Sequence, residues 1–188
     1  MYNKAGWVEV IVGCMGSGKS LEFIARVIVA RLSGEIVQVF CYSGAVNTRF
    51  GPTEDGTTLE AIQVKTSADI LTHLDPIATV VAIDEAMLLD MGLVDVVDTL
   101  ARMGLRVIVA GCDLNYREED FGAIPRLMAR AEEVVKLLAV CAVCLKPIAS
   151  RTQRYREDGT PSRLCDPEEV LDKSRYKAVC RQHYKKPD

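Results

Sequence analysis

One eight-residue segment near the start of the chain constrains the fold more than any other feature. Residues 13–20, Gly-Cys-Met-Gly-Ser-Gly-Lys-Ser, fit the pattern G-x-x-x-x-G-K-[ST] and directly follow the apolar run at residues 8–12. This pattern needs glycines because the backbone must bend until its N–H groups point inward around phosphate oxygens. Apolar residues at helical spacing follow at 21–32, so a strand precedes the loop and a helix follows it, as a phosphate-binding loop requires.

The loop residues have distinct expected tasks. Lys19 supplies a positive charge for the terminal phosphates, and Ser20 opens the next helix and offers a hydroxyl to Mg²⁺. The backbone amides expected to face the phosphates belong to Gly13, Gly16, Ser17 and Gly18. The alternative is a glycine-rich turn that merely precedes a helix.

A second apolar run, residues 79–83, ends in two acids, Asp84 and Glu85. In phosphate-loop enzymes an acid at such a strand end holds Mg²⁺, the role expected for Asp84. Glu85 can then point elsewhere and accept a proton as a general base, since ligands gather at the carboxyl ends of parallel strands. The alternative is that both acids cap a following helix.

The cysteines form a second kind of pattern. Cys141-x-x-Cys144 is matched by Cys180-x-x-His183, and two short chelating pairs supply the four ligands of a structural zinc site. The alternative is a redox-active Cys-x-x-Cys pair with an unrelated histidine. Cys14, Cys41, Cys112 and Cys165 have no such partners by spacing and are expected in the core or in loops.

Length and composition favour one full domain with a small appendage. The chain has 188 residues, 49% hydrophobic and 26% charged, and no apolar run approaches the roughly 18 residues of a membrane span. No secretory signal is visible, so we expect a reducing, cytoplasmic setting in which thiols or metal ligands are favoured over disulfides. Residues 1–140 carry a net charge of −7 and residues 141–188 carry +4, a weak hint of nucleic-acid binding that a metal thiolate site would offset.

Strands alternating with helices predict an α/β fold, a parallel-sheet P-loop NTPase core of the RecA-like type. Residues 1–139 are expected to form the nucleotide-binding domain and residues 140–188 a small zinc-binding domain. Further strands are predicted at residues 36–41, 105–110 and 134–140, helices at 67–74, 90–103 and 124–131, and a flexible loop at 43–58.

Taken in order, these motifs resemble one family across nearly the whole chain. Together with Gly-Cys-Asp-Leu-Asn-Tyr-Arg at 111–117, Phe-Gly-Ala-Ile at 121–124 and Thr-Gln-Arg at 152–154, they are similar to the zinc-containing, type II thymidine kinases. The resemblance implies transfer of the ATP γ-phosphoryl group to the 5′-hydroxyl of thymidine or deoxyuridine. It also implies a dimer or tetramer, and Arg49 near the reacting phosphate.

In this family the nucleoside lies under a lasso loop, here the segment between Cys144 and Cys180 that the metal anchors. The resemblance therefore implies a nucleoside pocket formed by Met15, Cys112, Tyr116, Phe121, Thr152 and Tyr176. The departures from the family pattern are Met87-Leu88-Leu89 after the acids, Ser43-Gly44 and Asn47 in the first loop, Arg151, and Cys112 itself. They cluster around the pocket, so an altered base preference is an open alternative.

Two other functions compete with the kinase. A nucleic-acid-associated ATPase would use the basic zinc module for binding, but few aromatic residues in the tail could stack on bases. A non-catalytic nucleotide-binding protein descended from a kinase is motivated by the missing pocket residues.

Overall fold

A computed structural model describes residues 6–43, 49–50, 59–166 and 173–188. Its strands and helices, numbered along the chain, are β1 Trp7–Gly13, α1 Lys19–Leu32, β2 Val37–Tyr42, β3 Arg49–Phe50, β4 Leu59–Glu60, β5 Ile62–Val64, α2 Ala68–Thr72, β6 Val80–Asp84, α3 Leu93–Arg102, β7 Arg106–Gly111, α4 Ile124–Met128, β8 Glu133–Leu137, β9 Arg151–Arg154 and β10 Tyr176–Val179. Short 3₁₀ turns occupy Ala86–Leu88 and Lys173–Arg175.

Six of these strands form one sheet in the order β5-β2-β6-β7-β1-β8, and every pairing within it is parallel. The predicted α/β fold class with a parallel sheet is therefore confirmed. The central strands are mainly apolar because helices cover both faces of the sheet. On one face, α1 contributes Phe23 and Val27 to an apolar cluster. On the other face, α3 contributes Leu93 and Leu100 to a larger cluster.

The register of the strands decides where the loops after them lie. Val12 of β1 pairs with Gly111 of β7, and Ile83 of β6 pairs with Val109 of β7. The carboxyl ends of these three strands therefore lie side by side at one edge. The loop after β1, the acids at the end of β6 and the segment after β7 are consequently neighbours.

The cysteine-rich segment forms a small structure beside this edge, and its two strands, β9 and β10, pair in antiparallel fashion. A third apolar cluster contains Cys14, Ala139, Cys141, Ala149, Val179 and Cys180. The Tyr184 hydroxyl donates a hydrogen bond of 2.7 Å to the carbonyl of Tyr116, which fixes the end of this structure against the segment after β7. The division of the chain at residue 139 into two domains stays a prediction.

Most predicted elements are present, with differences at their ends. Helix α4 ends at Met128, short of the predicted residue 131, and β8 ends at Leu137, short of 140. Strand β5 was not predicted, because its three residues are too few to give a periodic signal. The predicted loop at 43–58 contains β3, which pairs with β4; residues 44–48 and 51–58 lie outside the described residues.

None of the helices in the described ranges is long and apolar enough to cross a bilayer.

A buried carboxylate lies at the amino-terminal half of β1. Glu9 is 2% exposed and accepts hydrogen bonds of 2.6 Å from Arg106 Nε, 2.6 Å from Arg26 Nη1 and 2.7 Å from Trp7 Nε1. Burial alone would raise the pKa of Glu9, but the hydrogen bonds from Arg106, Arg26 and Trp7 outweigh it and lower the pKa below its ordinary value of 4.5. This cluster joins β1, β7 and α1 at the end of the sheet opposite the phosphate loop.

We predict that Glu9→Gln lowers the free energy of unfolding at neutral pH by about 3 kcal/mol, because Arg106 loses its buried charged partner and Arg26 keeps its pairs with Glu22 and Glu133 but loses the buried one. Since the pKa of Glu9 is lower in the folded than in the unfolded chain, its stabilisation is complete above the unfolded value and is lost as the pH falls through the folded value. Urea unfolding at neutral and acidic pH measures both effects. Glu157→Gln, which removes an exposed partner of Arg175, is the matched control, and an equal loss in both variants would contradict the prediction.

Candidate active site and metal centre

The loop between β1 and α1 has the backbone conformation that phosphate binding needs. Gly16 and Gly18 have φ values of 74° and 87°, a region that favours glycine. At Gly13 a Cβ atom would lie 2.5 Å from the carbonyl oxygen of Leu137, so no larger residue fits there. Helix α1 begins at Lys19, directly after the loop, and its N-terminus therefore faces the loop.

Two side chains of this loop have unusual surroundings. Lys19 Nζ donates a hydrogen bond of 2.9 Å to the carbonyl of Cys14 and thus lies across the loop. Ser17 Oγ is buried and has no hydrogen-bond partner among the described residues. Ser20 is exposed at the second residue of α1, where a hydroxyl is open to an incoming ion. The arrangement offers amides and a cation to an anionic ligand.

Asp84 and Glu85 lie at the neighbouring strand end. Asp84 is the last residue of β6 and is 6% exposed, and its Oδ1 accepts a hydrogen bond of 2.8 Å from the amide of Glu85. Glu85 adopts a left-handed conformation with φ 51° and ψ 35°, which costs a residue with a side chain about 1–2 kcal/mol. A 3₁₀ turn does follow, but the Glu85 side chain makes no capping hydrogen bond to it. The unusual backbone turns Glu85 out of the line of β6.

The pKa values of two buried thiols show which charged groups lie near them. Burial raises the pKa of Cys112, Lys19 opposes this rise, and Glu85 and Asp113 add to it. Burial also raises the pKa of Cys41, with further contributions from Asp84 and Glu85. The charges of both Lys19 and Glu85 affect the pKa of Cys112. The phosphate loop and the acids therefore border one region at the end of β7. Both thiols stay protonated at neutral pH, as expected for core cysteines.

The residues implied for the nucleoside pocket fall into two groups. Met15, Cys112 and Phe121 belong to the apolar cluster on the α3 face. Tyr116 and Tyr176 contact each other edge to face, with ring centroids 6.3 Å apart. Thr152 connects to the first group, because its Oγ1 accepts a hydrogen bond of 3.1 Å from the amide of Met15.

The structure shows where several of the departures from the family pattern lie. The carbonyl oxygen of Met87 would lie 2.5 Å from a Cβ atom at Gly122, so the turn after Glu85 packs tightly against the segment that carries Phe121. Arg151 is 7% exposed and forms an ion pair with Glu118. The backbone of Arg49 lies in β3, and its side chain and Asn47 lie outside the described residues, so the role of Arg49 stays a prediction.

Sequence reasoning missed two charged neighbours of this edge. Asp113, next to Cys112, is 5% exposed and forms an ion pair with Lys136 of β8. Arg154 places its guanidinium carbon 5.1 Å from the centroid of the Tyr116 ring, a cation–π contact. The signal available for Asp113 in the sequence was an acid two residues beyond the end of the apolar stretch that forms β7.

The four predicted metal ligands come together. One ligand atom from each of Cys141, Cys144, Cys180 and His183 lies within 4.8 Å of all the others. His183 Nδ1 is 3.7 Å from Cys141 Sγ and 3.1 Å from Cys180 Sγ, close to the roughly 3.5–3.8 Å between ligand atoms of a tetrahedral zinc ion. The donor set therefore fits zinc. With four protein ligands it leaves no open position, which suits a structural ion.

The surroundings of Cys141 favour its thiolate form, which binds cations. Burial would raise its pKa, but backbone N–H groups of Cys144, Cys180 and Val143 outweigh burial and lower the pKa to about 5. The amide of Cys180 is 3.3 Å from Cys141 Sγ. A thiolate is thus available at neutral pH, as metal binding requires.

Together, the parallel sheet, the glycine loop and the acids at the next strand end define a P-loop nucleotide-binding protein with a Cys₃His module. A family model described as thymidine kinase matches residues 6–184. The chain therefore belongs to the thymidine kinase family, a family of nucleoside kinases. The family predicted from the motifs is confirmed, whereas the roles of individual site residues stay predictions.

Similar solved structures include one described as a DNA replication initiation factor and DnaA from Aquifex aeolicus bound to AMPPCP. Each is 16% identical to this chain, with a TM-score of 0.43, and the match covers 72% of this chain. The chain spans about two fifths of their lengths, 41% and 42% respectively. At these values no conclusion about activity follows.

We predict that the purified protein contains about one zinc ion per chain and that Cys141→Ser loses it, because a closed site needs all four ligands. Elemental analysis after dialysis measures the metal. The control is Cys165→Ser, which changes an exposed cysteine outside the cluster and should retain the ion. Zinc loss in both variants, or in neither, would contradict this assignment.

Proposed function

We propose that this protein is a thymidine kinase that transfers the γ-phosphoryl group of ATP to the 5′-hydroxyl of thymidine or deoxyuridine, giving the monophosphate. Family membership over residues 6–184 supports the reaction class. The observation that carries the assignment of the reacting residues is the left-handed Glu85 directly after buried Asp84, beside the phosphate loop.

The phosphates of ATP would lie against the amides of Gly13, Gly16, Ser17 and Gly18. Lys19 would exchange its hydrogen bond to the Cys14 carbonyl for contacts with the terminal phosphates. Ser20 and Asp84 would hold Mg²⁺, which when bound neutralises charge on the phosphates. Arg49 would approach the transferring group.

Glu85 would act on the acceptor. Its carboxylate takes the proton of the 5′-hydroxyl while the hydroxyl oxygen forms a bond to the γ-phosphorus and the bond to the β-phosphate oxygen breaks. ADP leaves, and the proton stays on Glu85 until solvent removes it. The left-handed backbone supports this role, because it takes Glu85 out of the line of β6, while Asp84, still in the strand, would hold the metal.

The nucleoside would lie among the two groups of pocket residues described above. Met15, Cys112 and Phe121 would provide apolar contacts for the base. Thr152 and Tyr176 belong to the metal module, the part of the chain from residue 140 onward that holds the four metal ligands, and with Tyr116 they would form the other side. Apolar walls with a few polar groups suit an uncharged pyrimidine. The metal would fix both ends of the lasso loop, so zinc would support substrate binding without entering the chemistry.

Two properties of the whole molecule belong to the same proposal. We infer a homo-oligomer, a dimer or tetramer, which is supported by the exposed apolar side chains Leu21, Val29 and Leu32 on α1. We infer a cytoplasmic location, which is supported by the reduced cysteines and their metal-ligand spacing.

We predict that Glu85→Gln lowers kcat for thymidine about 10²- to 10⁴-fold, because the amide cannot accept the hydroxyl proton. Nucleotide titration should show that ATP binding is retained, since the phosphate loop is unchanged. Asp98→Asn, which removes a partly exposed carboxylate that pairs with Arg102 on α3, is the control and should keep full activity. Normal turnover in Glu85→Gln would eliminate Glu85 as the base.

We also predict that, in a panel of nucleosides assayed with ATP and Mg²⁺, pyrimidine deoxynucleosides turn over and purine nucleosides do not, because the chain belongs to the thymidine kinase family, whose nucleoside is a pyrimidine. Product formation is measured by chromatography of the monophosphates. Turnover of no nucleoside would favour the non-catalytic alternative. ATP hydrolysis that rises with single-stranded DNA would favour the nucleic-acid-associated ATPase.

A further inference from the structure

The phosphate loop is in direct contact with the metal module. Cys14 Sγ donates a hydrogen bond of 3.4 Å to the carbonyl of Ala149, and the amide of Met15 donates one of 3.1 Å to Thr152 Oγ1. Both acceptors lie in the stretch that leads from Cys144 into β9. Two successive residues of the loop are therefore held from the cysteine-rich side.

The side chain of Cys14 is part of the module's own interior. It is 3% exposed and belongs to the apolar cluster that includes the ligands Cys141 and Cys180, together with Ala149 and Val179. The loop thus inserts one side chain into the apolar cluster that also contains two of the zinc-binding cysteines. The large apolar cluster of the sheet contains Met15 as a partly buried neighbour but not Cys14.

The backbone of Cys14 reaches the phosphate side. Its carbonyl accepts the hydrogen bond from Lys19 Nζ and lies 3.3 Å from the amide of Ser17. One residue consequently joins the metal module, through its side chain, to the amide of Ser17, through its carbonyl, and Lys19 also donates to this carbonyl until ATP binds. A shift of Cys14 would displace the backbone that carries the phosphate-binding amides.

Bound zinc would make this connection rigid. Apart from the ligands, the buried members of the module's cluster are the small side chains of Cys14, Ala139, Ala149 and Val179, and so small a core needs an ion to hold a fixed shape. Without zinc, Cys14 would lose its packed environment and the hydroxyl of Thr152 would lose its fixed position. The loop would then sample conformations in which its amides do not converge.

We propose that zinc at the four ligands and ATP at the phosphate loop bind cooperatively, with Cys14 and Thr152 as positioning residues that carry the coupling. The inference rests on the proposed binding of both ligands but not on phosphoryl transfer to a nucleoside. Coupling of this kind is reciprocal, so the factor by which ATP tightens zinc binding equals the factor by which zinc tightens ATP binding.

The test measures zinc affinity of the full-length protein by equilibrium competition with a chromophoric chelator, with and without saturating ATP in excess Mg²⁺ and without nucleoside. In the wild-type protein ATP should tighten zinc binding at least about fivefold, the lower end of typical couplings. ATP affinity, measured by titration with a fluorescent ATP analogue, should fall by the same factor when zinc is removed.

Single substitutions distinguish a loss of coupling through these two residues from a general loss of protein stability. Thr152→Val and Cys14→Ala should lose most of the ATP effect on zinc affinity, and Thr152→Ser, which keeps the hydroxyl, should restore it. Thr99→Val, the same change at an exposed position of α3, should keep the full effect. ATP in solution can itself chelate zinc, and Lys19→Ala measures this contribution. The phosphate loop of this variant lacks the lysine that would hold the phosphates of ATP.

Zinc affinity that is equal with and without ATP in a protein that binds both ligands would overturn the coupling and leave the proposed kinase intact. Full coupling in both Thr152→Val and Cys14→Ala would overturn the assignment of the two positioning residues. A protein without bound zinc or without ATP affinity would overturn this inference and the proposed function together. Coupling in a protein that phosphorylates no nucleoside would support the inference and reject the kinase.

Discussion

The parallel pairing of β6, β7 and β1 in one register is the constraint on which the rest of the structure depends. It places the loop after β1, Asp84 with Glu85, and Cys112 at the same sheet edge. Buried aliphatic side chains on both faces, each contributing about 1.5–3 kcal/mol, fix that register. A slip by one residue would move a whole set of these side chains to the opposite face and separate the glycine loop from the acids.

The sequence was sufficient for those parts of the site that are local in the chain. Two of these patterns lie within about ten residues: the glycine loop between a strand and a helix, and the two acids after an apolar run. The four metal ligands are recognisable as two short pairs. Contacts between distant segments gave no such signal. The bond from Met15 to Thr152 spans 137 residues, and the pairing of Glu9 with Arg106 spans 97. The left-handed backbone of Glu85 was equally hidden, because glutamate carries no preference for that conformation.

The metal module contributes to the site in a way that its ligand pattern does not reveal. A closed Cys₃His centre has no position for a substrate, yet its apolar cluster contains Cys14 of the phosphate loop and its strand β9 supplies Thr152. The loop is thus held on one side by the sheet, through Gly13 and the Leu137 carbonyl, and on the other by the module. In the proposed function, phosphate binding and nucleoside binding share this small structure, so a structural ion bound to it would influence both.

The central claim is that Glu85 and Asp84, adjacent in sequence, serve different partners at one sheet edge. A crystal structure of the protein with thymidine, Mg²⁺ and a non-hydrolysable ATP analogue tests it most directly. The account predicts a Glu85 carboxylate oxygen about 2.6–3.2 Å from the 5′-hydroxyl oxygen, with Asp84 bound to Mg²⁺ directly or through water. A Glu85 side chain turned away from the sugar, or a nucleoside bound elsewhere than beneath the lasso loop, would contradict it.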